Sequence, residues 1–424
     1  MKVLVKMLKW LAITISVLVL AIGVWAWIER QPRADTKAAA ATLPHDFIWG
    51  VSCSGFQSEG GHFDSNIARW NETHAEEDRY GNSVDFRHRY REDISLARAM
   101  GINTYRIGIN WARVQPQRSS FDEVELAYYD DVILAMKQAG IAPLITLDHF
   151  VYPGWVADQG GWSNPQTVTD FVAFSRLIAI RYHADVRYWL TFNEAAFNVT
   201  SEAARRKTGL RGALVVSDHI VSAHNQVYDL IHALRPDAVV ASNIVWMGDT
   251  FFSRRLQSLT DRLFLDHIVA RTDVIAFDYY GSDFIQIARA VNPWKWYPDP
   301  PGLYRALRIL SRRYPSKPLL ISETGMATQN GQPREGLPRE DVLRDTVYWT
   351  QRARADGVNV IGYMVWSLTD NFEWGSYSPR FGLYTVDALH DPELKRVPTA
   401  AVDAYRRIIA EGGVGVAYRP VVRR

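Results

Sequence analysis

Between Asp46 and the C-terminus, short apolar runs alternate with amphipathic stretches eight times, and few folds accept such a pattern. The runs are "DFIWGVSC" (46–53), "NTYRIGI" (103–109), "APLITLDH" (142–149), "VRYWLTFNE" (186–194), "AVVASNIVW" (238–246), "DVIAFDYY" (273–280), "PLLISETG" (318–325) and "NVIGYMVWSL" (359–368). Between them lie segments such as "FRHRYREDISLARAMG", "VELAYYDDVILAMKQAG" and "DVLRDTVYWTQRARADG", apolar at helical spacing with glycine at the stop. Strands this continuously apolar are buried on both faces, which points to a parallel sheet covered by helices. Eight strand–helix units suit a closed ring better than an open sheet, although periodicity alone does not prove closure. The expected fold class is α/β, a single (β/α)8 TIM barrel spanning residues 43–424, with long loops at 291–302 and 374–398.

The first 42 residues follow other rules. Lys2, Lys6 and Lys9 make residues 1–9 a basic segment; residues 10–28 are an almost unbroken apolar run, and residues 29–42, "ERQPRADTKAAAAT", read as a linker. The run is long enough to span a bilayer core, and Trp27 and Ile28 follow the only nearby small-residue cleavage option, so the expectation is an uncleaved transmembrane signal anchor. Such a chain is membrane-bound and single-pass, with its catalytic domain on the extracytoplasmic side; the lone cysteine, Cys53, suits an oxidising compartment without requiring one. Residues 1–41 hold six basic and two acidic side chains, which leaves the rest of a chain of net charge +2 at −2. No basic surface for nucleic acid is implied.

Active sites of barrels lie at the carboxyl ends of the strands. There the sequence is polar: Arg106, Asp148 and His149, Asn193 and Glu194, Asp278 and Tyr280, Glu323, then Trp366 with Asp370, Glu373 and Trp374 soon after. Glu194 and Glu323 matter most, because glycoside hydrolysis needs one carboxylic acid to protonate the leaving oxygen and a second carboxylate opposite it. A separation of about 5 to 5.5 Å makes the second a nucleophile and retains configuration; a wider gap admits water and inverts it. Arg106 is placed to hold Glu323 ionised, while the aromatic surroundings of Glu194, Trp189, Phe192 and Phe197, favour its protonated form. The 15 Trp and 20 Tyr supply both core and stacking surface for flat ligands such as sugars.

With these residues in place, residues 43–412 resemble a glycoside hydrolase family 1 β-glycosidase. "LPHDFIWGVSCSGFQSEGG" is similar to the family's opening strand and Q-x-E-G turn, "RYREDISLARAMGINTYRIGINWARVQP" to its second unit and "LDHFVYPGWVADQGGW" to its third. "TFNEAAF" resembles the acid/base motif, "ISETGMA" the nucleophile motif, and "VWSLTDNFEW" with "RFGL" the C-terminal sugar-binding signature. The resemblance implies Glu194 as general acid/base and Glu323 as nucleophile, with Arg106 and Tyr280 supporting Glu323. It implies Gln57, His149, Asn193, Glu373 and Trp374 as ligands of sugar hydroxyls and Trp366 as the platform under the ring. A one-residue shift in register would exchange Tyr280 for Tyr279. Departures from the family pattern are Asp278 for asparagine, Ala195 for proline, Thr324 for asparagine, a stretch after Trp374 that is one residue short, and abbreviated segments after the fourth and fifth strands. They bear on the leaving-group side.

The expected activity is therefore a membrane-anchored retaining exo-β-glycosidase of β-glucosidase type. The alternative is a transglycosidase that moves a β-linked sugar onto a lipid or glycan acceptor, and a binding pseudoenzyme is disfavoured because both glutamates remain. The expected partners are a β-glycoside, glycolipid or oligosaccharide substrate and the membrane. The histidines lack ligand spacing and no phosphate-cradling glycine loop occurs, so no metal or cofactor is expected.

Overall fold

The computed structural model describes residues 14–21, 23, 42–74, 76–281 and 292–422. Within them the apolar runs become strands where expected: β1 Ile48–Ser52, β2 Thr104–Gly108, β3 Ala142–Asp148, β4 Tyr188–Phe192, β5 in two pieces (Val239–Ala241 and Asn243–Val245), β6 Ile275–Tyr279, β7 Leu319–Thr324 and β8 Val360–Trp366. All neighbours pair in parallel. Closure, which periodicity left open, is visible in β5. Its first piece pairs with β4 through Val239 opposite Tyr188, and its second pairs with β6 through Asn243 opposite Ala276. Ser242 alone separates the pieces, so one run of chain passes from one neighbour to the other and completes an eight-stranded ring.

Among the described residues, eight principal helices cover the ring: α1 Phe86–Ala99, α2 Glu123–Gln138, α3 Gln166–Tyr182, α4 Gly209–Leu234, α5 Phe251–Leu263, α6 Pro300–Arg313, α7 Arg339–Ala355 and α8 Ala400–Glu411. Their ends obey local chemistry. Asp122 caps α2 by accepting from the amides of Val124 (2.9 Å) and Glu125 (3.2 Å). Gly140 beyond α2 and Gly357 beyond α7 take φ of 69° and 87°, the left-handed conformation that stops a helix. The ends of the domain meet at the amino-terminal end of the barrel, where the Leu43 amide donates to the Gly412 carbonyl at 2.7 Å.

Inside the ring, Ile48, Leu144, Leu190, Ala241, Ala276, Leu320 and Met364 form an apolar plug. Two glycines allow it: a Cβ on Gly50 would stand 2.6 Å from Met364 Cε, and one on Gly362 would stand 2.6 Å from Ile48 Cβ. Toward the carboxyl ends of the strands the interior turns polar, with Arg106, Thr146, Asn193, Asn243, Asp278 and Glu323 all buried. The plug is a floor and the polar layer stands on it.

Two expected loops carry structure. Residues 291–302 include the short helix Pro293–Lys295 and the start of α6, where Pro300 fits a helix's first turn because its missing N–H has no partner to lose. Residues 374–398 contain Pro379–Arg380, paired with Thr328–Gln329, and Tyr384–Thr385, paired with Val397–Pro398. Most of the expected anchor and linker lies outside the described residues. Residues 14–21 are helical, with Ile15, Val17, Leu18, Val19 and Leu20 exposed. Among the described residues no helix is long and apolar enough to cross a membrane.

Candidate active site

Arg106 rises from the middle of β2 into the polar layer and is fully buried. A buried guanidinium needs partners for its donors, and here they come from three other strands. Its Nε donates to Thr146 Oγ1 on β3 (2.8 Å), Nη1 to Glu323 Oε1 on β7 (2.5 Å), and Nη2 to Asn193 Oδ1 beyond β4 (2.5 Å). Tyr280, just past β6, donates its hydroxyl to the other oxygen of Glu323 at 2.6 Å. Tyr279 points elsewhere and donates to the Asp299 carbonyl, so the register that sequence left open resolves in favour of Tyr280. Glu323 is thereby gripped at both oxygens by a cation and a phenol.

Glu194 is held differently. It follows β4 at φ 39°, ψ 56°, a left-handed conformation costly for a side chain with a Cβ, and it opens the helix Ala195–Arg205. Its backbone amide donates to Asn243 Oδ1 at 3.1 Å; among the described residues no hydrogen bond to its carboxyl oxygens is recorded. Burial first, then the charge of Glu323, push that carboxyl up to about 8. Glu194, Asp278 and Glu323 each bring a carboxyl oxygen to within 4.8 Å of the others. Such a trio resembles a cation cage, but Arg106 neutralises one member, and burial followed by the charges of Glu323 and Glu194 holds Asp278 well above the usual carboxylate range. Protons and the guanidinium already balance the charge, so no metal is needed.

The remaining candidates surround this pair. Gln57 lies in the short helix Gly55–Glu59 after β1; Ser54 Oγ donates to its Oε1 (2.6 Å), and its Nε2 faces Asn371 Oδ1 (3.4 Å). It therefore belongs to a turn and borders the site. His149 Nδ1 stands 3.5 Å from Arg106 Nη2, and burial, then the Arg106 charge, hold its pKa well below the ordinary value, so the ring is neutral. His149 stacks with Trp366, at the end of β8, with centroids 5.7 Å apart and planes 24° apart. The Trp366 indole N–H donates to Glu373 Oε2 at 3.1 Å, and burial pushes the Glu373 carboxyl up to about 8. Trp374 is the open member: 56% exposed, it meets Phe197 (5.0 Å) and Phe150 (5.9 Å) as an aromatic rim.

Sequence reasoning passed over Asn243. Its Nδ2 donates to Asn193 Oδ1 at 2.9 Å and also to Asp278 Oδ2, while its Oδ1 receives the Glu194 amide. Asp278, both a strand-end acid and a departure from the family pattern, also accepts from Ser322 Oγ at 2.7 Å. The available signal was an amide inside the apolar run "AVVASNIVW". Asp148, a strand-end acid, is structural instead: it accepts from the Phe150 amide (2.9 Å), Asn198 (3.1 Å) and the Trp162 indole (3.3 Å).

The chain is similar to known proteins. The family model described as glycosyl hydrolase family 1 matches residues 39–257 and 281–414. Beta-glucosidase A of Acetivibrio thermocellus is 29% identical, over 82% of this chain and 94% of its own. Two chloroplastic proteins are each 28% identical: the beta-glucosidase-like SFR2 of Oryza sativa, over 91% of this chain and 64% of its own, and the galactolipid galactosyltransferase SFR2 of Arabidopsis thaliana, over 82% and 61%. The chain thus spans under two thirds of the length of both. Among solved structures, an aphid myrosinase superposes with a TM-score of 0.78 at 23% identity, over 88% of this chain and all of its own, a likeness of fold.

Proposed function

Because the chain belongs to glycosyl hydrolase family 1 and is a glycoside hydrolase, we propose that it is a retaining exo-β-glycosidase, acting on a β-glucoside or a close relative through a covalent glycosyl-enzyme. The observation that carries this reading is the contrast within one pair of glutamates whose oxygens lie within 4.8 Å. That separation suits direct attack by one carboxylate and is too short for the water layer an inverting pair holds. Glu323, bound by Arg106 and Tyr280, attacks the anomeric carbon. Glu194, whose carboxyl is pushed up to about 8, carries the proton that the leaving oxygen takes. In the second half Glu194 takes a proton from the incoming hydroxyl and the ester to Glu323 breaks.

Gln57, His149, Asn193, Glu373 and Trp374 hold the hydroxyls of the terminal sugar, with Trp366 at the base of the site. Asn193, fixed through its oxygen by Arg106 and Asn243, keeps its amide N–H donors for the sugar. A hydrogen bond to the 2-hydroxyl would strengthen in the transition state. The second reading, transfer to a lipid or glycan hydroxyl, is favoured by the relative named a galactolipid galactosyltransferase. Both readings share every step up to the identity of the acceptor. Residues 10–28 would tether the enzyme to a membrane with its barrel on the extracytoplasmic side, a placement that protease protection of intact cells tests. The reaction is tested by incubating the full chain with aryl β-glycosides and β-glycosyl lipids and following the anomer first released by NMR. A β-anomer or β-linked transfer product is expected; first release of the α-anomer would exclude retention.

A further inference from the structure

The helix that begins at Glu194 ends at Arg205, and the chain then climbs directly into α4. The first two turns of α4 lack the covering expected of a barrel helix: Leu210, Leu214 and Val215 are exposed, Leu210 at 75%. α5, which follows the neighbouring strand, also starts at the catalytic end and exposes Phe251 and Leu259. The two helices converge lower down, where Ser217 Oγ donates to the Leu263 carbonyl at 2.8 Å. Above that junction both run up toward the barrel mouth.

Charge identifies what would cover them. Lys207, Arg211 and Arg255 accompany the apolar residues, and Arg255 stands over the Phe251 ring at 5.2 Å. Among the described residues no acidic partner of Lys207 or Arg211 is recorded, and the nearby acids are committed elsewhere. Glu202 is buried against Arg206 (2.7 Å) and Arg205 (3.5 Å), and Asp249 pairs with Arg305. Asp218, the first acid along α4, comes after the Ser217 junction. A basic, apolar patch on a domain whose overall charge is negative does not suit a neutral glycan or a basic protein. It suits anionic lipid, whose phosphates attract lysine and arginine while the interface accepts leucine and phenylalanine.

We propose that the exposed first turns of α4 and α5 dock the enzyme on an anionic bilayer, setting the barrel mouth beside the headgroups of β-glycosyl lipids. The apolar side chains enter the interfacial region and Lys207, Arg211 and Arg255 meet lipid phosphates. The patch is one helix removed from Glu194 and from the rim formed by Phe197 and Trp374, so a docked enzyme has its mouth at the lipid surface. This inference rests on the β-glycosidase reading for its substrate, but the docking itself is measured independently of turnover.

Cys53, the single cysteine, is buried, so a cysteine introduced by Leu214→Cys in the full chain takes an environment-sensitive fluorophore selectively. The label is expected to shift to the blue on vesicles of phosphatidylglycerol and phosphatidylcholine and not on phosphatidylcholine alone. The same label at Ile180→Cys, on exposed α3 near its C-terminal end, is expected not to shift on either. Next, the triple variant Lys207→Glu/Arg211→Glu/Arg255→Glu is expected to lose about tenfold or more of its turnover of a β-glycosyl diacylglycerol in the anionic vesicles. Its turnover of a soluble aryl β-glycoside should be unchanged, which also shows that it folds. No lipid-dependent shift at position 214, or equal glycolipid turnover by variant and wild type, overturns the docking. A shift without turnover of either substrate supports the docking and overturns the reaction.

Discussion

Glu323 and Glu194 are the same side chain at the ends of two strands of one barrel, yet their surroundings share almost nothing. Glu323 is clamped by Arg106, itself fixed by Thr146 of the neighbouring strand, and by Tyr280. Glu194 is positioned through its backbone, by a left-handed turn and the Asn243 side chain. Preorganisation thus reaches Glu323 through side chains and Glu194 through the main chain. The first arrangement fixes charge, and under the proposed reaction the second leaves room for varied leaving groups.

That contrast is open to attack by substitution. Glu323→Ala should lower turnover by about 10⁴-fold or more, the scale of deleting a covalent catalyst, with azide restoring activity and yielding an α-configured product. Unchanged activity would sink the mechanism. Glu194→Gln should cost about 10²- to 10⁴-fold with poor leaving groups and far less with activated aryl glycosides. The wild-type rate should fall as pH rises through about 8, where Glu194 loses its proton, and this alkaline limb should vanish in the variant. Tyr280→Phe removes one of two donors to Glu323 and should lower kcat by about tenfold to a hundredfold, the worth of a hydrogen bond to a charged group. Equal losses in Tyr279→Phe would mean that the grip on Glu323 is not specific.

A subtler effect concerns stability. Glu194 and Glu373, at about 8, and Asp148, at about 7, keep their protons in the folded chain at pH values where the unfolded chain has released them. Raised carboxyl pKa values make their contribution complete below the ordinary 4.5 and 3.8 and progressively lost as pH climbs to about 8. Tm should therefore be higher at pH 5 than at pH 9, and Glu373→Gln should flatten that slope in calorimetry. The smallest effect is expected at Asp278→Asn, which can keep contacts to Ser322 and Asn243: a change within about threefold in rate and little in Tm.

Much of this architecture is legible in residue order because burial on both faces leaves so plain a mark on strands, and because polar residues at strand ends have few structural reasons to be there. Glu194, Glu323 and Arg106 stand out on those grounds. Asn243 does not, since its importance comes from the break at Ser242 that turns β5 from one neighbour to the other, and a change of pairing partner leaves no periodicity. Nor does the choice between Tyr280 and Tyr279, two identical residues whose roles differ by the pleat of one strand. For Trp366, which the resemblance implies as the platform under the ring, residue order does not show that it is 2% exposed with its indole N–H committed to Glu373.

The hydrogen bond that joins Leu43 to Gly412 at the barrel floor has a consequence for how far this enzyme can reach. Any tether upstream leaves from the side opposite the mouth. Residues 29–42, drawn out fully, cover roughly 50 Å, close to the width of a domain of this size. If residues 10–28 hold the chain in a bilayer, as proposed above, this stretch would be a leash just long enough for the barrel to lie over and bring its mouth to that surface. Under that proposal, shortening the stretch by half should strand the mouth in solvent, sparing soluble substrates and denying the enzyme those embedded in the membrane.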